Sequence, residues 1–538
     1  MTPRTGSWPP RGPRGTTYGR LLAAVAAGAV LLTGCGHGGG SDRGRTADRG
    51  AVAPDSGRRH GNPAPAPAPA GPSHAAPSDG GSAVQQGEDD GRRPSAPPAD
   101  YLSTFALDVD TASYGYARRT LADGNVPDPD TIRPEEFVNS FRQDYPQPEG
   151  NGFSVTVDGA RTGDPNWSLM RVGLATRAGK SSADRPPAAL TFVVDISGSM
   201  AEPGRLDLVR RSLDLMTDRL RGDDSVAVVA FSDKAETRLP MTRLDGNRRR
   251  VHEVVDRLRP TDSTNVEAGV TRGYDVAVEG RREGATNRVV LLSDALANTG
   301  ATSADTLLER IGAVRRAHGI TLFGVGVGSQ YNDAFMERLV DRGDGHTVYV
   351  SDEEEARRVF CDELPAQIEL RARDAKAQVS FDPRNVESFR LIGYDNRKVA
   401  DEDFRDDTVD GGEVGPGHSV TALYAVRLRP GAAGHVATAT VRWLDPEGRA
   451  PHEESGRIEA GGLTGVEWSQ AGSRFQVTAA AAYLASELRG RGGGWAPLPG
   501  AVPLARLSDI AAALATRTED PEVRALAQAV HQTHRLLT

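Results

Sequence analysis

An α/β protein with a doubly wound, mostly parallel sheet and helices on both faces is what this sequence predicts, on three observations. The first is the run Leu190–Val194, apolar and β-branched with no polar alternation, which stops at Asp195. A strand buried on both faces in the middle of a parallel sheet has this texture. The second is a regular alternation of short apolar runs and longer amphipathic stretches from Pro187 to about Leu370, the mark of repeated βα units. The third is a change of texture on either side. A small α+β region precedes Pro187, and a β-rich and then helical region follows Ala375.

The chain has 538 residues, room for two or three domains, with a formal net charge of −9 and 25% charged residues. This balance leaves no electrostatic footprint for nucleic acid, and a short basic run such as Arg248–Arg250 reads as a solvated helix face. Residues 1–34 read as an export signal: Arg4, Arg11, Arg14 and Arg20 precede a 12-residue apolar core, Leu21–Leu32. That core is shorter than the ~18 residues a membrane span needs. It ends in Leu32-Thr33-Gly34-Cys35, which resembles a bacterial lipobox. The resemblance implies cleavage before Cys35, acylation of its thiol and new amino terminus, and a lipid anchor on the extracytoplasmic face of the cell membrane. An ordinary signal peptide with an incidental cysteine is the alternative. The only other cysteine is Cys361, so the exported part has no internal disulfide. Residues 35–100, with a Pro-Ala repeat over Pro63–Ala70, are too poor in apolar side chains to fold. As a flexible tether they would span roughly 45 Å.

Order is expected from Tyr101. In residues 101–186, Leu102–Asp110 reads as a strand, Thr111–Leu121 and Pro134–Phe141 as helices, and Phe153–Val157 and Leu169–Ala175 as strands. In residues 187–370 the strands are Leu190–Val194, Ser225–Phe231, Arg288–Leu292, Thr321–Val327 and Thr347–Val350. The helices between and after them are Arg205–Leu220, Asn247–Leu258, Val266–Val278, Ser303–His318, Asn332–Val340 and Glu353–Leu370. Residues 371–538 open with β runs at Ala377–Phe381, Phe389–Leu391, Val420–Leu428 and Ala437–Trp443, an antiparallel region of small-sandwich type. Helices at Phe475–Leu488, Leu507–Thr516 and Glu522–Leu537 follow.

Three loops in the central region carry the chemistry. Asp195, Ser197 and Ser199 leave the C-terminal end of a strand, where open α/β sheets place their ligands, and Gly198 allows the tight turn. Asp262-Ser263-Thr264-Asn265 precedes a helix, and Leu291-Leu292-Ser293-Asp294 again ends an apolar strand at a carboxylate. Hard oxygens of this kind suit Mg²⁺ or Mn²⁺ better than zinc or copper. Singly, Asp195 or Thr264 reads better as a helix cap than as a ligand; the ordered set points to a metal site.

That set, Asp195-x-Ser197-x-Ser199 with Thr264 and Asp294, resembles the metal-ion-dependent adhesion site of the von Willebrand factor type A (VWA) domain, and the resemblance runs over roughly Pro187–Leu370. It implies that Ser197, Ser199 and Thr264 bind the cation directly and that Asp195 and Asp294 hold it largely through water. Neutral ligands leave the cation much of its charge and one position open for an Asp or Glu of a protein partner. The chain departs from the family at Ala295, where glycine is common. TFALDVDTASY (Thr104–Tyr114), with Arg118-Arg119 and Glu135-Glu136-Phe137, resembles the N-terminal domain of one bacterial VWA subfamily. Arg373–Asp407 and Gly417–Val426 resemble that subfamily's C-terminal domain.

Enzyme motifs fail on inspection. Asp108–Ala112 has alanine where a D-x-D-x-T phosphotransfer loop needs threonine, and Gly417–Thr421 lacks the last glycine of a nucleophile elbow. Gly324–Ser329 lacks the third glycine of a dinucleotide loop and reads as a strand packed close to its neighbours. No catalytic residue is picked out. The expectation is a lipid-anchored binding protein using Mg²⁺ or Mn²⁺. A metal-independent envelope scaffold is the competing reading, and an envelope hydrolase a third.

Overall fold

The computed structural model describes residues 99–178, 185–261, 263–294, 301–328, 333–343, 345–363, 369–446, 448–493 and 495–538. The export segment, Cys35, the tether, Asp262 and Ala295 lie outside the described residues.

Ahead of the central region come β1 (Leu102–Ala106), α1 (Ala112–Ala122), α2 (Pro134–Asn139), β2 (Phe153–Arg161) and β3 (Trp167–Thr176). The central region holds β4 (Ala188–Asp195), α3 (Leu206–Arg219), β5 (Ser225–Phe231), β6 (Ala235–Arg243), α4 (Arg248–Asp256) and α5 (Val266–Glu279). It continues with β7 (Thr286–Ser293), α6 (Ala301–His318), β8 (Thr321–Val327), α7 (Asp333–Arg342), β9 (Thr347–Val350) and α8 (Glu353–Arg357). Then follow β10 (Ala372–Phe381), β11 (Val386–Leu391), β12 (Gly412–Val414), β13 (Ser419–Leu428), β14 (His435–Leu444) and β15 (Pro451–Glu459). The chain closes with α9 (Ala460–Thr464), α10 (Ser473–Gly490), α11 (Leu504–Thr518) and α12 (Pro521–Leu537).

The central sheet runs β6-β5-β4-β7-β8-β9, all parallel except β6, which returns antiparallel along β5. Its two faces read off β4. Leu190, Phe192 and Val194 pack with Leu206, Leu213 and Met216 of α3, Val251 of α4 and Ala356 of α8. Val193 packs on the other side with Val270 and Tyr274 of α5, Ile311 of α6 and Met336 of α7. This is the doubly wound fold the alternation predicts. β6 was not among the expected strands: AETRLPMTR is mostly polar, contains proline and has a single buried position, which suits an edge strand and hides the period-2 signal. Of the expected helix over Glu353–Leu370, the described part is α8 followed by a π-helical turn at Arg358–Glu363; residues 364–368 lie outside the described residues. Cys361 falls in that turn.

Helix α5 sits unusually close to the sheet because two of its positions lack side chains. A Cβ on Gly269 would lie 2.5 Å from the Phe231 ring, and one on Gly273 would lie 2.3 Å from Val193 Cγ2. Gly273→Val should therefore destabilise the protein by about 1–3 kcal/mol through overpacking, read as a lower denaturant midpoint at constant m-value. A midpoint equal to the parent's would contradict the close seating.

The segments on either side of the central region form one β-sandwich between them. One sheet is β1-β10-β14-β15 with β12 paired to β10, and the other is β11-β13-β3-β2. Separation along the chain is thus not separation in space: β1 pairs with β10 and β3 with β13 across the whole inserted central region. Alternation explains the layers. Met170, Val172 and Leu174 of β3, with Ala422, Tyr424 and Val426 of β13, face the sandwich core beside Phe105, Val379 and Val441. Leu169, Leu423 and Ala425 point the other way, into the helical layer of α2, α10, α11 and α12. The seam with the central domain joins an apolar contact of α1, Ala112 and Tyr116 beside Tyr349, to buried polar pairs. Asp110 accepts a hydrogen bond from Thr347 N at 2.8 Å, and Arg288 of β7 pairs with Glu413 of β12 at 3.3 Å, both side chains 1% exposed. No helix among the described residues is long and apolar enough to cross a membrane.

Candidate metal centre

The chain moves outward from β4 through β5 and β6, then crosses to the opposite side of β4 with β7. The carboxyl ends of β4 and β7 therefore border the topological switch point, where such sheets bind ligands. Asp195 ends β4 and Ser293 ends β7. Ser293 Oγ donates to Asp195 Oδ2 at 2.5 Å, and Ser197 N donates to Asp195 Oδ1 at 2.8 Å. The loop after β4 is anchored by Ile196 N on Phe231 O at 2.9 Å, then winds into a 3₁₀ turn at Gly198–Ala201. This brings Ser197 Oγ within 3.1 Å of Ser199 Oγ. Asp195, Ser197 and Asp294 are buried and Ser199 is half-buried.

The loop carrying Thr264 is tied to the same strand ends. Thr261 N donates to Ile196 O at 2.7 Å and Asn265 N to Ser232 O at 2.6 Å. Asn265 caps α5 through Ala268 N at 3.0 Å, so the cap function falls to Asn265 and leaves the Thr264 hydroxyl free of it. Ser263 has φ +68°, a left-handed conformation that side chains avoid and that gathers at functional loops.

Burial raises Asp195 to about 6, opposed by the Ser293 and Ser197 hydrogen bonds and reinforced by the charge of Asp294. Two carboxylates so placed favour a cation between them. Asp294 uses one oxygen: Oδ2 accepts from Arg205 Nη1 at 2.7 Å, while Oδ1 is buried with no hydrogen-bond partner among the described residues. An orphaned carboxylate oxygen beside clustered hydroxyls fits a hard divalent cation. Among the described residues no group of three or more His, Cys, Asp or Glu comes together as a metal cluster. The candidate set has two carboxylates and three hydroxyls, donors for Mg²⁺ or Mn²⁺ and poor ones for zinc.

Sequence reasoning missed Ser293 and Arg205. Ser293 stood in view beside Asp294 but had no assigned role. Arg205 carries no sequence signal of its own, because its burial and its contact with Asp294 belong to the fold. Arg205 directly precedes α3, where a cation opposes the helix dipole, so a buried arginine there implies a specific anion. The remaining motifs are structural. Asp108 and Asp110 are buried and both meet Arg397 at 3.3 Å. Gly324 lies in β8, where a Cβ would come 2.8 Å from Val340 Cγ2, in keeping with a closely packed strand. Ser419 opens β13.

Fold and loop geometry together define a VWA-type domain. Residues 189–361 match the family described as von Willebrand factor type A domain, and residues 91–168 match the one described as von Willebrand factor. Residues 367–460 match the family described as Uncharacterized protein YfbK, C-terminal. The chain thus carries a VWA domain and a YfbK C-terminal domain. It is homologous to Uncharacterized protein YfbK of Escherichia coli (strain K12), 31% identical over 337 residues, or 61% of this chain and 58% of that protein. The match therefore spans less than two thirds of that curated relative. Among solved structures the chain is similar to von Willebrand factor type A from Catenulispora acidiphila, with 15% identity, 71% of this chain and 91% of that one covered, and TM-score 0.46. It is also similar to the ArnB paralog VWA2 from Sulfolobus acidocaldarius, with 15% identity, coverage of 71% and 98%, and TM-score 0.35. VWA domains generally mediate protein–protein interaction.

Proposed function

We propose that this chain is a lipid-anchored binding protein of the extracytoplasmic membrane face, not an enzyme, and that its VWA domain binds an acidic residue of a protein partner through Mg²⁺ or Mn²⁺. The observation that carries the reading is the switch-point cluster: Asp195, Ser197 and Ser199 share one short loop, and Asp294 presents an unpartnered oxygen from the neighbouring strand end. With Thr264, these residues would hold the cation; when bound it supplies an electrophilic position that an acceptor-only carboxylate completes. The lipobox-like Leu32–Cys35 supports the anchor, and the low-complexity stretch after it supports a tether.

One observation favours the metal-independent scaffold instead: Asp294 has a buried counter-charge of its own in Arg205, 2.7 Å away. Capture of partners from detergent-solubilised membranes separates the two. Under the metal reading, bound protein is released by EDTA, returns with Mg²⁺, and is absent with Ser197→Ala. Retention unaffected by both EDTA and Ser197→Ala would sink the metal reading in favour of the scaffold.

A further inference from the structure

Arg205 is among the largest fully buried side chains of the protein, with 2% of its surface exposed. Its guanidinium has two hydrogen-bond acceptors and one further ion-pair partner. Nη1 donates to Asp294 Oδ2 at 2.7 Å and to the Ser199 backbone carbonyl at 3.0 Å, and Nη2 pairs with Glu202 Oε2 at 2.7 Å. Two of the three belong to residues of the candidate metal set. The third, Glu202, lies three residues before Arg205 with its side chain 61% exposed.

Room for this side chain is built in. Gly328, at the end of β8 with φ +85°, lies against it so closely that a Cβ there would come 2.5 Å from Arg205 Nε. The Gly328 carbonyl is itself held by the Tyr349 hydroxyl at 2.6 Å, and the Tyr349 ring meets Tyr116 of α1 edge-on at 5.9 Å. A seat lined by glycine and fixed from behind by a tyrosine keeps the guanidinium at the metal centre.

We propose that Arg205 is an internal counter-cation of the metal centre. It neutralises Asp294 when no divalent ion is bound and gives up that pair, keeping Glu202, when one enters. The inference rests on the metal reading given above and deepens it. The physical reason is charge balance. Asp195 and Asp294 lie buried at adjacent strand ends, and two uncompensated carboxylates there would be costly. A guanidinium supplies one positive charge to the metal-free protein, and a divalent cation supplies two. Both cations at full contact with Asp294 repel, so ion entry must loosen the Arg205–Asp294 pair. Glu202, already paired with the arginine, keeps it near solvent. The cost of that exchange lowers affinity for the ion, which lets binding respond to ion concentration.

The test is calorimetric titration of Mg²⁺ into the full chain and its variants. Arg205→Gln should bind Mg²⁺ at least ~tenfold more tightly than wild type, because the competing charge is gone. In EDTA the same variant should unfold at a lower temperature than wild type, and saturating Mg²⁺ should narrow that deficit. Glu202→Gln, an exposed change that keeps the fold accessible should Arg205→Gln fail to fold, should weaken Mg²⁺ binding about threefold by removing the carboxylate that keeps the arginine. Equal or weaker Mg²⁺ affinity in folded Arg205→Gln, or unchanged affinity in Glu202→Gln, overturns the exchange while leaving the metal site standing. No Mg²⁺ binding by wild type or by Arg205→Gln would remove the metal reading and the exchange together.

Discussion

Addition of Mg²⁺ at about a hundredfold excess over its dissociation constant is expected to stabilise the folded chain by about 2.7 kcal/mol, because the ion binds the native loops and not the unfolded ones. For a cooperative unit the size of the VWA domain, that is a rise in unfolding midpoint of about 5–10 °C. Asp294→Ala should abolish the rise. The substitution also leaves Arg205 buried without its principal anion, so the midpoint in EDTA falls as well. The informative quantity is therefore the difference with and without Mg²⁺ in each protein. Ser197→Ala supplies the control: it removes a hydroxyl ligand, leaves the Arg205–Asp294 pair intact, and should lose the Mg²⁺ response with a smaller fall of the midpoint in EDTA than Asp294→Ala. A wild-type midpoint indifferent to Mg²⁺ and Mn²⁺ alike would end the metal reading.

The second large effect is expected at the seam. Arg288 and Glu413 form a buried pair between the central sheet and the sandwich, and Arg288 Nε also donates to Thr321 Oγ1 at 2.9 Å. Burial pushes the Glu413 carboxyl up from its ordinary range, with Arg288 and Arg373 pulling it back. Glu413→Leu removes the buried anion that Arg288 meets and should cost about 3–5 kcal/mol in chemical denaturation. Replacing both, Arg288→Met with Glu413→Leu, should recover most of that loss, since two apolar side chains leave no uncompensated ion. A double variant as unstable as the single one would mean that the pair is not the source of the penalty.

Much of the fold was legible because its signals are local. Leu190–Val194, Val226–Phe231 and Leu322–Val327 are runs free of charged residues, and each became part of a central strand. β6 and β12 were not legible. The first alternates polar residues around a proline, and the second is only three residues long. Pairing of β1 with β10 joins Leu102 to Ser380, a contact that no periodicity encodes. In the site, Asp195, Ser197, Ser199 and Asp294 could be picked out because spacing and strand ends mark them. Arg205 could not, since its role depends on an aspartate 89 residues further on.

The insertion of the central domain into the sandwich has a mechanical consequence. Strand β1 enters at Leu102 opposite Ser380 and leaves at Ala106 opposite Lys376, while β10 begins at Ala372, where the chain arrives from the central domain. A pull on the chain ahead of Leu102, resisted at the central domain, drags the two strands past one another lengthwise. Their cross-strand hydrogen bonds lie perpendicular to that direction and are loaded together, instead of opening one at a time like a zip. Force is then carried by the whole β1–β10 ladder at once.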